Sequence, residues 1–587
     1  MPIDIVTYVE LQDVFPGKEC TLKYLAECLQ DLPLDLVLVM CAKANLIASG
    51  PAEASLLDRQ QKLAGFILSP EALENLKAAT RRVDVESPQK VVLFFRSQLL
   101  ELTRWALLFC EGRDLGRAWN QDERDLFAQA ALICSSLAEA TMKSVLAGAA
   151  VDNLVDHALV FFRAALGAAL QGVDVWRAIG RGHKLFLKYL PKHYPEFEKE
   201  FEQATGLLLI EYLTTASILT ALHTQAEQNP ILSDAVTLGK GSEYERQFAA
   251  YQALQICTAD ELRSEIWPAG NAPTDVNSIE PLNIKPLRQK PIIALQDGRG
   301  AVLDPILLAD SVSVGPLFQV LGRRDHREVF GHFGDAFEEY AGDVFSALFP
   351  TGSGLHQCLH RDVAYTDADG INAQIDYCLD YVDQLVLIEA KSIFLPDEYA
   401  IELNEAKYKS ALAERYLHGK SPVGVGQLAR AIRALSDCSW RGPSPEADLQ
   451  LVYPVLLVHD RLLQGPLATR HLAGLLASEL GATRVAGSWQ WEFNAVRFAP
   501  LTILTIEDLE NLQNSPGIDM RDLLHSYSES VPERNGSLHD YIASTDRFRS
   551  ELRINQALAQ AAAEFLEDCS RRVFGQAPYV EEAATGA

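Results

Sequence analysis

Apolar side chains recur every three or four positions through most of residues 1–235, which is the spacing of amphipathic helices. One helix is predicted to begin after Thr21, with Leu22 and Leu29 on a single face. Another is predicted to begin at Ser69–Glu71, where a capping serine precedes a proline and an acidic residue. Further helical runs are predicted at residues 89–112, 121–147, 153–172 and 199–225. No fixed repeat period is visible, so the pattern predicts a large all-α module, packed as a bundle or as a stacked helical array.

The pattern changes over residues 236–325. The stretch PAGNAPTDVNSIEPLNIKPLRQ is rich in proline, asparagine and other polar residues, as linkers are. The stretch after it, KPIIALQDGRGAVLDPILL, places Asp297 and Gly298 between two short apolar runs, which predicts a β-hairpin. This region is therefore predicted to be a mixed connector.

Helix and strand periods alternate after the connector. Helices are predicted at residues 331–349 and 425–435, and strands at 371–382, 385–392 and 449–460. This order predicts an α/β layer domain over residues 326–512. The tail, residues 513–587, returns to helix and ends in the small-residue run EEAATGA, which we expect to fray.

Composition indicates an ordinary globular protein of more than one domain. The chain has 587 residues, of which 48% are hydrophobic and 22% are charged. The 52 Lys and Arg residues against 79 Asp and Glu leave a formal charge of −27, which argues against a surface built throughout to coat nucleic acid. A local basic groove is still compatible with this charge.

Cysteine usage and the N-terminus indicate the compartment. The ten cysteines include no CxxC pair, and several lie in apolar helical runs, as buried free thiols do in a reducing environment. The N-terminal residues lack a basic segment followed by an apolar core, so a secretory signal is not expected. We therefore expect a cytoplasmic protein.

The most membrane-like stretch, residues 205–224, is long enough to cross a bilayer. Glu211 lies near its middle, and a carboxylate there costs about 2 kcal/mol or more in lipid. We therefore expect this stretch to be a buried core helix, and we expect no membrane contact.

The candidate catalytic residues Glu389 and Lys391 lie at the end of the most apolar strand. They directly follow an apolar run that is typical of a buried central strand. Alternation places these two side chains on one face of the strand. If the preceding strand pairs antiparallel through a turn near residues 382–384, Asp376 reaches the same end. Asp376 and Glu389 can then share a divalent ion, because carboxylate oxygens are the ligands that Mg²⁺ prefers. A nearby lysine can position the attacking water, so the set suits phosphodiester hydrolysis.

The spacing Asp376–x12–Glu389–Ala390–Lys391 resembles the signature of the PD-(D/E)XK nuclease superfamily. The segment Gly334–Glu338 resembles the acidic first helix of that restriction-endonuclease-like fold. The similarity covers about residues 326–510, and Ile375 stands where the family name has proline, a common departure in the superfamily. The resemblance implies a restriction-endonuclease-like nuclease fold for the α/β domain. Together with the helical patterns on either side of it, the expected protein is multidomain, with an all-α N-terminal module, this nuclease domain and a helical C-terminal extension.

The resemblance also implies roles for individual residues. Asp376 and Glu389 are expected to bind the catalytic Mg²⁺, with Mn²⁺ as a possible substitute, and Lys391 to act with the water. Glu338 of the first helix is expected to add to the metal shell, and Gln427 of a later helix to play a supporting part.

The expected partner is nucleic acid, with DNA favoured over RNA. Between Lys391 and Arg441, eight Lys and Arg residues outnumber six Asp and Glu, for a local charge of +2. The candidates for phosphate contacts are Lys407, Lys409, Lys420, Arg430 and Arg433. These side chains either follow a bound backbone or form a solvated helix face. The acidic helical module is expected to hold a protein partner or to restrain the nuclease until a trigger arrives, and the sequence leaves the oligomeric state open.

Several alternatives stay open at this point. Glu339 competes with Glu338 for the role on the first helix, whereas Asp380 and Asp383 are interpreted as turn or edge residues. Residues 356–360 contain two histidines and a cysteine but no second pair with zinc-type spacing. The Gly-Lys-Ser and Gly-Lys-Gly-Ser stretches lack the upstream glycine of a phosphate loop.

Two functions are compatible with these features. The first is a Mg²⁺-dependent nuclease, most simply of DNA, in an architecture that resembles bacterial anti-phage and restriction effectors. The second is a catalytically silent scaffold, in which the nuclease fold grips nucleic acid or the helical module holds a protein. Metal binding through Asp376 and Glu389 separates the two.

Overall fold

A computed structural model gives the structure of the protein. It describes residues 7–49, 56–82, 91–114, 119–147, 174–225, 231–232, 244–268, 285–321, 326–349, 358–366, 370, 372–395, 405–417, 423–437, 439–442, 449–459, 463, 465–513, 515, 517–530, 537–551 and 555–574. The helix predicted at residues 153–172, and the candidates Lys420 and His356, lie outside these residues.

The N-terminal region is helical, as predicted. Its helices are Leu11–Val14, Leu22–Gln30, Leu34–Ala48, Leu56–Ile67, Pro70–Arg82, Arg96–Phe109 and Gln121–Ala147. Two helix starts predicted from the sequence are present, because the side chain of Thr21 accepts from the Tyr24 N–H and that of Ser69 from the Ala72 N–H, each at 3.1 Å. The inward faces of these helices share one apolar core.

The helix predicted at residues 89–112 begins later, at Arg96. Before it, Val91–Val92 forms strand β2, which runs parallel to strand β1 (Thr7–Tyr8). Valine is branched at Cβ and favours extended backbone. The side-chain oxygen of Gln60 also accepts from two backbone N–H groups just before the helix, at 2.8 and 3.1 Å. These contacts hold the segment extended and delay the helix.

The next helices are Val175–His183, Leu190–His193, Phe197–Thr205 and Leu209–Gln225, and the π-helix Lys184–Tyr189 joins the first two. We call the continuous element, residues 175–193, the flanking helix. The single helix predicted at residues 199–225 is divided, because Gly206 adopts a left-handed φ of +74° and ends the first half. Glu211 caps the second half by accepting from the Leu208 N–H at 2.9 Å.

Among the described residues, no single helix is long and apolar enough to cross a bilayer, and the two halves pass that test only as a pair bent by 66°. Tyr212, Leu213 and Leu219 of the second half are fully buried. The stretch therefore packs as a core helix, as predicted.

A small sheet lies between the helical region and the main sheet in the sequence. Its strands are β3 (Ile231–Leu232), β4 (Ile256–Thr258), β5 (Ile292–Ala294) and β6 (Gly300–Val302), and nearby helices are Glu245–Gln255, Ala259–Ile266, Lys285–Gln289, Pro305–Ser313 and Gly315–Leu321. Strands β5 and β6 pair antiparallel, and Gly298 in their turn has φ of +85°. The hairpin predicted at Asp297 and Gly298 is thus confirmed.

The main sheet is mixed. Its strands are β7 (Cys358–Thr366), β8 (Asn372–Asp380), β9 (Gln384–Lys391), β10 (Leu451–Val458), β11 (Thr483–Arg484), β12 (Trp491–Phe493), β13 (Val496–Phe498) and β14 (Thr502–Thr505). In the described part of the chain the order is β11-β12-β13-β10-β9-β8-β7, with β14 also paired to β10. Strands β7, β8 and β9 are antiparallel, whereas β10 runs parallel to β9. This crossover carries the intervening helices onto one face of the sheet.

Helices cover both faces of the main sheet. The helix His326–Leu348, which we call the acidic helix, shares a core with Val386 and Ile388 of β9. On the other face are Glu405–Tyr416, Val425–Ser436 and Pro466–Leu480, which pack against Leu385 and Leu387. We call Val425–Ser436 the Gln427 helix. The alternating apolar residues of β9 therefore fix the sheet between two helical layers.

The core on the side of the acidic helix also contains residues from outside the α/β region. The flanking helix contributes Phe186 and Tyr189, and the C-terminal helices contribute Leu524 and Phe565. The elements after the sheet are Ile506–Leu512, Met520–Ser530, Leu538–Ser544, Asp546–Arg549 and Gln556–Phe574. The helical tail predicted from the sequence thus packs back onto the sheet layer. The boundaries predicted at residues 235, 325 and 512 stay predictions, and this core extends across each of them.

Candidate active site

Asp376 and Glu389 meet where strands β8 and β9 separate. The last paired residues at this end of the two strands are Tyr377 and Ile388, and Asp376 and Glu389 are the next residues along each strand. Beyond this point the Ala390 N–H donates to the side chain of Asp376, Oδ2, at 2.7 Å, in place of a backbone acceptor. The antiparallel pairing expected from the sequence therefore brings the two carboxylates to one end of the sheet.

Lys391 lies between these two carboxylates. Its Nζ is 2.5 Å from Glu389 Oε1 and 3.8 Å from Asp376 Oδ2, and it donates to the Ala390 carbonyl at 2.9 Å. Burial lowers the pKa of Lys391, but Glu389 and Asp376 outweigh that effect and hold the pKa above its ordinary value. Lys391 is thus a cation near neutral pH, in contact with both acids.

Glu389 is the most deeply buried member of the set, with none of its surface exposed. Its Oε2 atom has no hydrogen-bond partner among the described residues. Burial raises the pKa of Glu389 to about 8, with the Asp376 charge adding to the rise and Lys391 opposing it. Burial raises the pKa of Asp376 as well, against the effect of Lys391. A buried carboxylate oxygen of this kind is costly unless a proton or a cation satisfies it.

Glu338 reaches the site from the acidic helix, which covers the face of the sheet opposite the Gln427 helix. Burial and the Asp376 charge raise its pKa to about 7, and Lys391 opposes the rise. The Tyr377 hydroxyl donates to the backbone carbonyl of Glu338, which ties the helix to β8. Its neighbour Glu339 turns away and pairs with Lys192 and His193 of the flanking helix. Glu338 is therefore the glutamate of this helix that acts electrostatically on the site.

Asp362 is a member of the electrostatic set that the sequence analysis missed. It lies on β7, between residues that pair with β8, and has a left-handed φ of +52°. Its charge raises the pKa of both Glu338 and Asp376, although burial is the larger cause in each. Asp is among the few residue types that tolerate this backbone region, which was the only sequence signal at the position.

Gln427 has a capping role. Its side-chain oxygen accepts from the Gly424 N–H at 2.9 Å, at the start of the Gln427 helix. Gly424 has φ of +52° and sits beside Lys391, since a Cβ added there would lie 3.6 Å from Lys391 Cγ. Gln427 therefore positions the helix start next to Lys391.

The cations predicted to contact phosphates are already engaged where the structure describes them. Lys409 pairs with Glu405, and Arg433 is 3.2 Å from Glu479 Oε1. Lys407 is exposed and Arg430 is half-buried. Their role in phosphate binding stays a prediction.

The residues interpreted as turn residues belong to the β8–β9 turn. The Asp380 side chain accepts from the Val382 N–H at 2.8 Å, and the Asp383 N–H donates to the Tyr381 carbonyl at 3.0 Å. Val382 adopts φ of +76°, an unusual conformation for a branched residue that the tight turn imposes. Asp380 thus shapes the connection that sets the register of Asp376 against Glu389.

The donor set fits a hard divalent cation by chemistry. Among the described residues, no group of three or more His, Cys, Asp or Glu side chains is arranged to hold a metal ion as it stands. Asp376 and Glu389, with one oxygen of Glu389 unsatisfied, offer the carboxylate pair that Mg²⁺ and Mn²⁺ bind together with waters and carbonyls. The Lys391 ammonium contacts Oε1 of Glu389, so Oε2 is the oxygen left for an ion.

Comparison of the chain with protein-family models, with characterised proteins and with solved structures finds no significant match.

Proposed function

We propose that the protein is a metal-dependent phosphodiesterase that cleaves nucleic acid, with DNA favoured, and that residues 326–512 form a restriction-endonuclease-like nuclease domain. The observation that carries the proposal is the meeting of Asp376, Glu389 and Lys391 at the diverging ends of β8 and β9. These three residues have the spacing and the types of the PD-(D/E)XK motif, and Glu389 keeps a buried oxygen without a hydrogen-bond partner among the described residues.

A bound Mg²⁺ ion would supply Lewis-acid stabilisation of charge on the phosphate oxygens. Asp376 and Glu389 would hold that ion through their carboxylates. The Lys391 ammonium can then donate a hydrogen bond to the attacking water or to a phosphate oxygen, since it is a cation at neutral pH. Glu338, with a pKa raised to about 7 by burial, can take up or release a proton in the same range.

The test is cleavage of plasmid, linear duplex, single-stranded DNA and RNA by the full chain with Mg²⁺, with Mn²⁺ and with EDTA. Asp376→Asn and Lys391→Met remove the charges while conserving size. Asp380→Asn is the matched control, because this carboxylate lies on the same strand and its turn contact can be made by asparagine. We expect cleavage that requires the metal, that falls about 100-fold or more in the first two variants, and that persists in the control.

If the chain cuts no substrate, calorimetry with Mn²⁺ on the same proteins distinguishes a restrained nuclease from a catalytically silent scaffold. Binding that Asp376→Asn abolishes indicates a restrained nuclease awaiting a partner. If neither cleavage nor metal binding is found, the proposal is wrong and the catalytically silent scaffold is favoured.

A further inference from the structure

Four basic side chains lie together along one side of the acidic helix. Lys188, Lys192 and His193 come from the flanking helix, and Arg361 comes from β7. We call these four residues the basic strip. Their side chains are between 30% and 56% exposed, so each can reach solvent. The strip is assembled from parts of the chain about 170 residues apart.

Residues at helical spacing on the acidic helix hold the strip in place. Lys192 and His193 pair with Glu339, and the His193 Nε2 is 2.9 Å from its Oε2. Lys188 lies 3.5 Å from Asp343 Oδ2, and the ring of Tyr189 packs under it. These contacts come from positions on one helix face, so the cations form a row.

Arg361 extends the row at its far end. Its guanidinium is 3.4 Å from Asp343 Oδ1 and donates to Ser346 Oγ at 2.7 Å. It crosses the acidic helix at Gly342, where an added Cβ would lie 2.8 Å from the guanidinium carbon. From Glu339 to Ser346 the row covers about 10 Å of the helix axis. That length is the rise of about three nucleotides in one B-form strand.

The basic strip borders the candidate active site at two points. Glu339 is the residue after Glu338, and Arg361 is the residue before Asp362. Glu338 interacts electrostatically with Asp376, and so does Asp362, so the strip begins one residue away from the site at each of these two points.

The local charge is opposite to that of the chain as a whole. Within the strip, two lysines, an arginine and a histidine face two carboxylates, in a protein with a formal charge of −27. Burial would raise the pKa of Glu339 and of Asp343. Hydrogen bonds from Lys192 and His193 lower the pKa of Glu339, and hydrogen bonds from Tyr189, Arg361 and Lys188 lower that of Asp343, so these acids stay ionised. Burial lowers the pKa of the adjacent Lys184, and the nearby Lys188 charge lowers it further.

From this arrangement we infer that the basic strip binds the phosphate backbone of the nucleic acid strand and leads it to Asp376 and Glu389. The inference rests on the proposed function, because the position of the strip beside that site selects nucleic acid over other polyanions. Phosphates take the place of Glu339 and Asp343 as partners of the cations. The contact is electrostatic and independent of base sequence.

Binding without cleavage tests the inference. The anisotropy of fluorescent single-stranded and duplex DNA is measured with the full chain in EDTA, at several salt concentrations. In Lys188→Gln/Lys192→Gln we expect affinity to fall about tenfold and the salt dependence to become shallower by about two phosphate contacts. The matched control is Lys23→Gln/Lys77→Gln, which removes two exposed lysines that also pair with glutamates on helices. The control is expected to bind DNA like the wild type.

A second variant changes the binding in the opposite direction. Glu339→Gln/Asp343→Asn removes the carboxylates that compete with phosphate, so we expect tighter DNA binding. A strip that served only to stabilise the fold would not give this result. Thermal melting of each variant checks folding.

Several outcomes would overturn the inference. They are wild-type affinity in the lysine variant, no tightening in the carboxylate variant, no DNA binding by the wild type, or polyglutamate competing as well as DNA at equal charge. The cleavage test above is separate. Weakened binding with neither cleavage nor metal binding would contradict the nuclease and leave the strip in place, whereas cleavage with unchanged binding would contradict the strip alone.

Discussion

The carboxylate of Glu389 is buried at the end of β9 with one oxygen lacking a hydrogen-bond partner among the described residues. Such a group is stable when it is protonated or when a cation binds it, and unstable as a lone anion. Lys391 provides one cation, and the proposed metal provides another. The protonation of this residue therefore connects the stability of the fold to the chemistry of the site.

The raised pKa of Glu389 predicts how the stability of the protein depends on pH when EDTA keeps metal ions away. Its pKa is about 8 in the folded chain, through burial, and about 4.3 when unfolded, so the folded state holds more protons between those values. The free energy of unfolding should therefore fall as pH rises from about 5 to 8. Glu389→Gln, which stays neutral, should flatten this dependence and be the more stable protein above pH 8, by about 1 kcal/mol or more.

Urea denaturation at a series of pH values measures this dependence. Glu74→Gln, at an exposed carboxylate on an N-terminal helix, is the control and should keep the wild-type slope. Parallel profiles for Glu389→Gln and the wild type would contradict the account.

The left-handed backbone of Asp362 predicts that glycine is better tolerated than alanine at this position. At its φ of +52°, alanine is strained and glycine is not, so Asp362→Gly should be more stable than Asp362→Ala by about 1 kcal/mol. Both variants lack the carboxylate, so their difference reports the backbone alone. At Ala364, on the same strand with φ outside the left-handed region, Ala364→Gly should instead lower stability. Thermal melts of the three variants and the wild type decide the matter, and the same order of glycine and alanine at both positions would refute it.

At the scale of an element, the acidic helix has three functions on three faces. Phe333, Phe337 and Phe345 fill the core, Glu338 faces the site and Glu339 supports the basic strip. Successive residues of a helix are about 100° apart, which is why neighbouring glutamates take different roles. The helix thus couples the core to both candidate surfaces.

The surroundings of two glycines in this helix predict different effects of substitution by alanine. Gly331 has open space around it, so Gly331→Ala should raise stability by up to about 1 kcal/mol through helix propensity. At Gly342 the new Cβ would displace the Arg361 guanidinium, so Gly342→Ala should gain less stability and weaken DNA binding. Melting and anisotropy are measured together. Equal gains with unchanged binding would show that Arg361 does not depend on this glycine.

At the scale of the molecule, a buried ion-pair network joins regions far apart in the sequence. Arg181 of the flanking helix is 2.5 Å from Glu510 Oε2 and 3.3 Å from Glu507 Oε1. The Tyr340 hydroxyl of the acidic helix donates to Glu510 Oε1 at 2.6 Å, and Asn555 donates to the Glu510 carbonyl. The flanking helix, the acidic helix and the C-terminal region are thereby held in one arrangement.

Removing Arg181 should therefore be severe. Arg181→Met removes the nearest cation from two buried carboxylates and leaves only Arg177, 3.9 Å from Glu510 Oε2, so we expect the free energy of unfolding to fall by about 3–5 kcal/mol. Arg246→Met, which breaks an exposed pair with Glu211, is the control and should cost about 1 kcal/mol or less. Adding Glu510→Gln to Arg181→Met should recover part of the loss. Equal effects of the two arginine variants in urea denaturation would contradict the role of the network.

The sequence by itself determined the local elements and the main carboxylates. The apolar run before Glu389, the cap at Ser69 and the Asp297–Gly298 turn act through contacts between neighbours, so period and residue type were enough to predict them. Tertiary structure alone decided the left-handed backbone of Asp362 and the capping role of Gln427.

It also decided that Lys188 and Arg361 both meet Asp343 of the acidic helix, and that Arg181 meets Glu510 more than 300 residues later in the chain. These contacts join helices and strands whose hydrophobic periodicity would fit many different packing partners. Which faces meet depends on the shape and charge of the whole packed core, and a local pattern does not specify that.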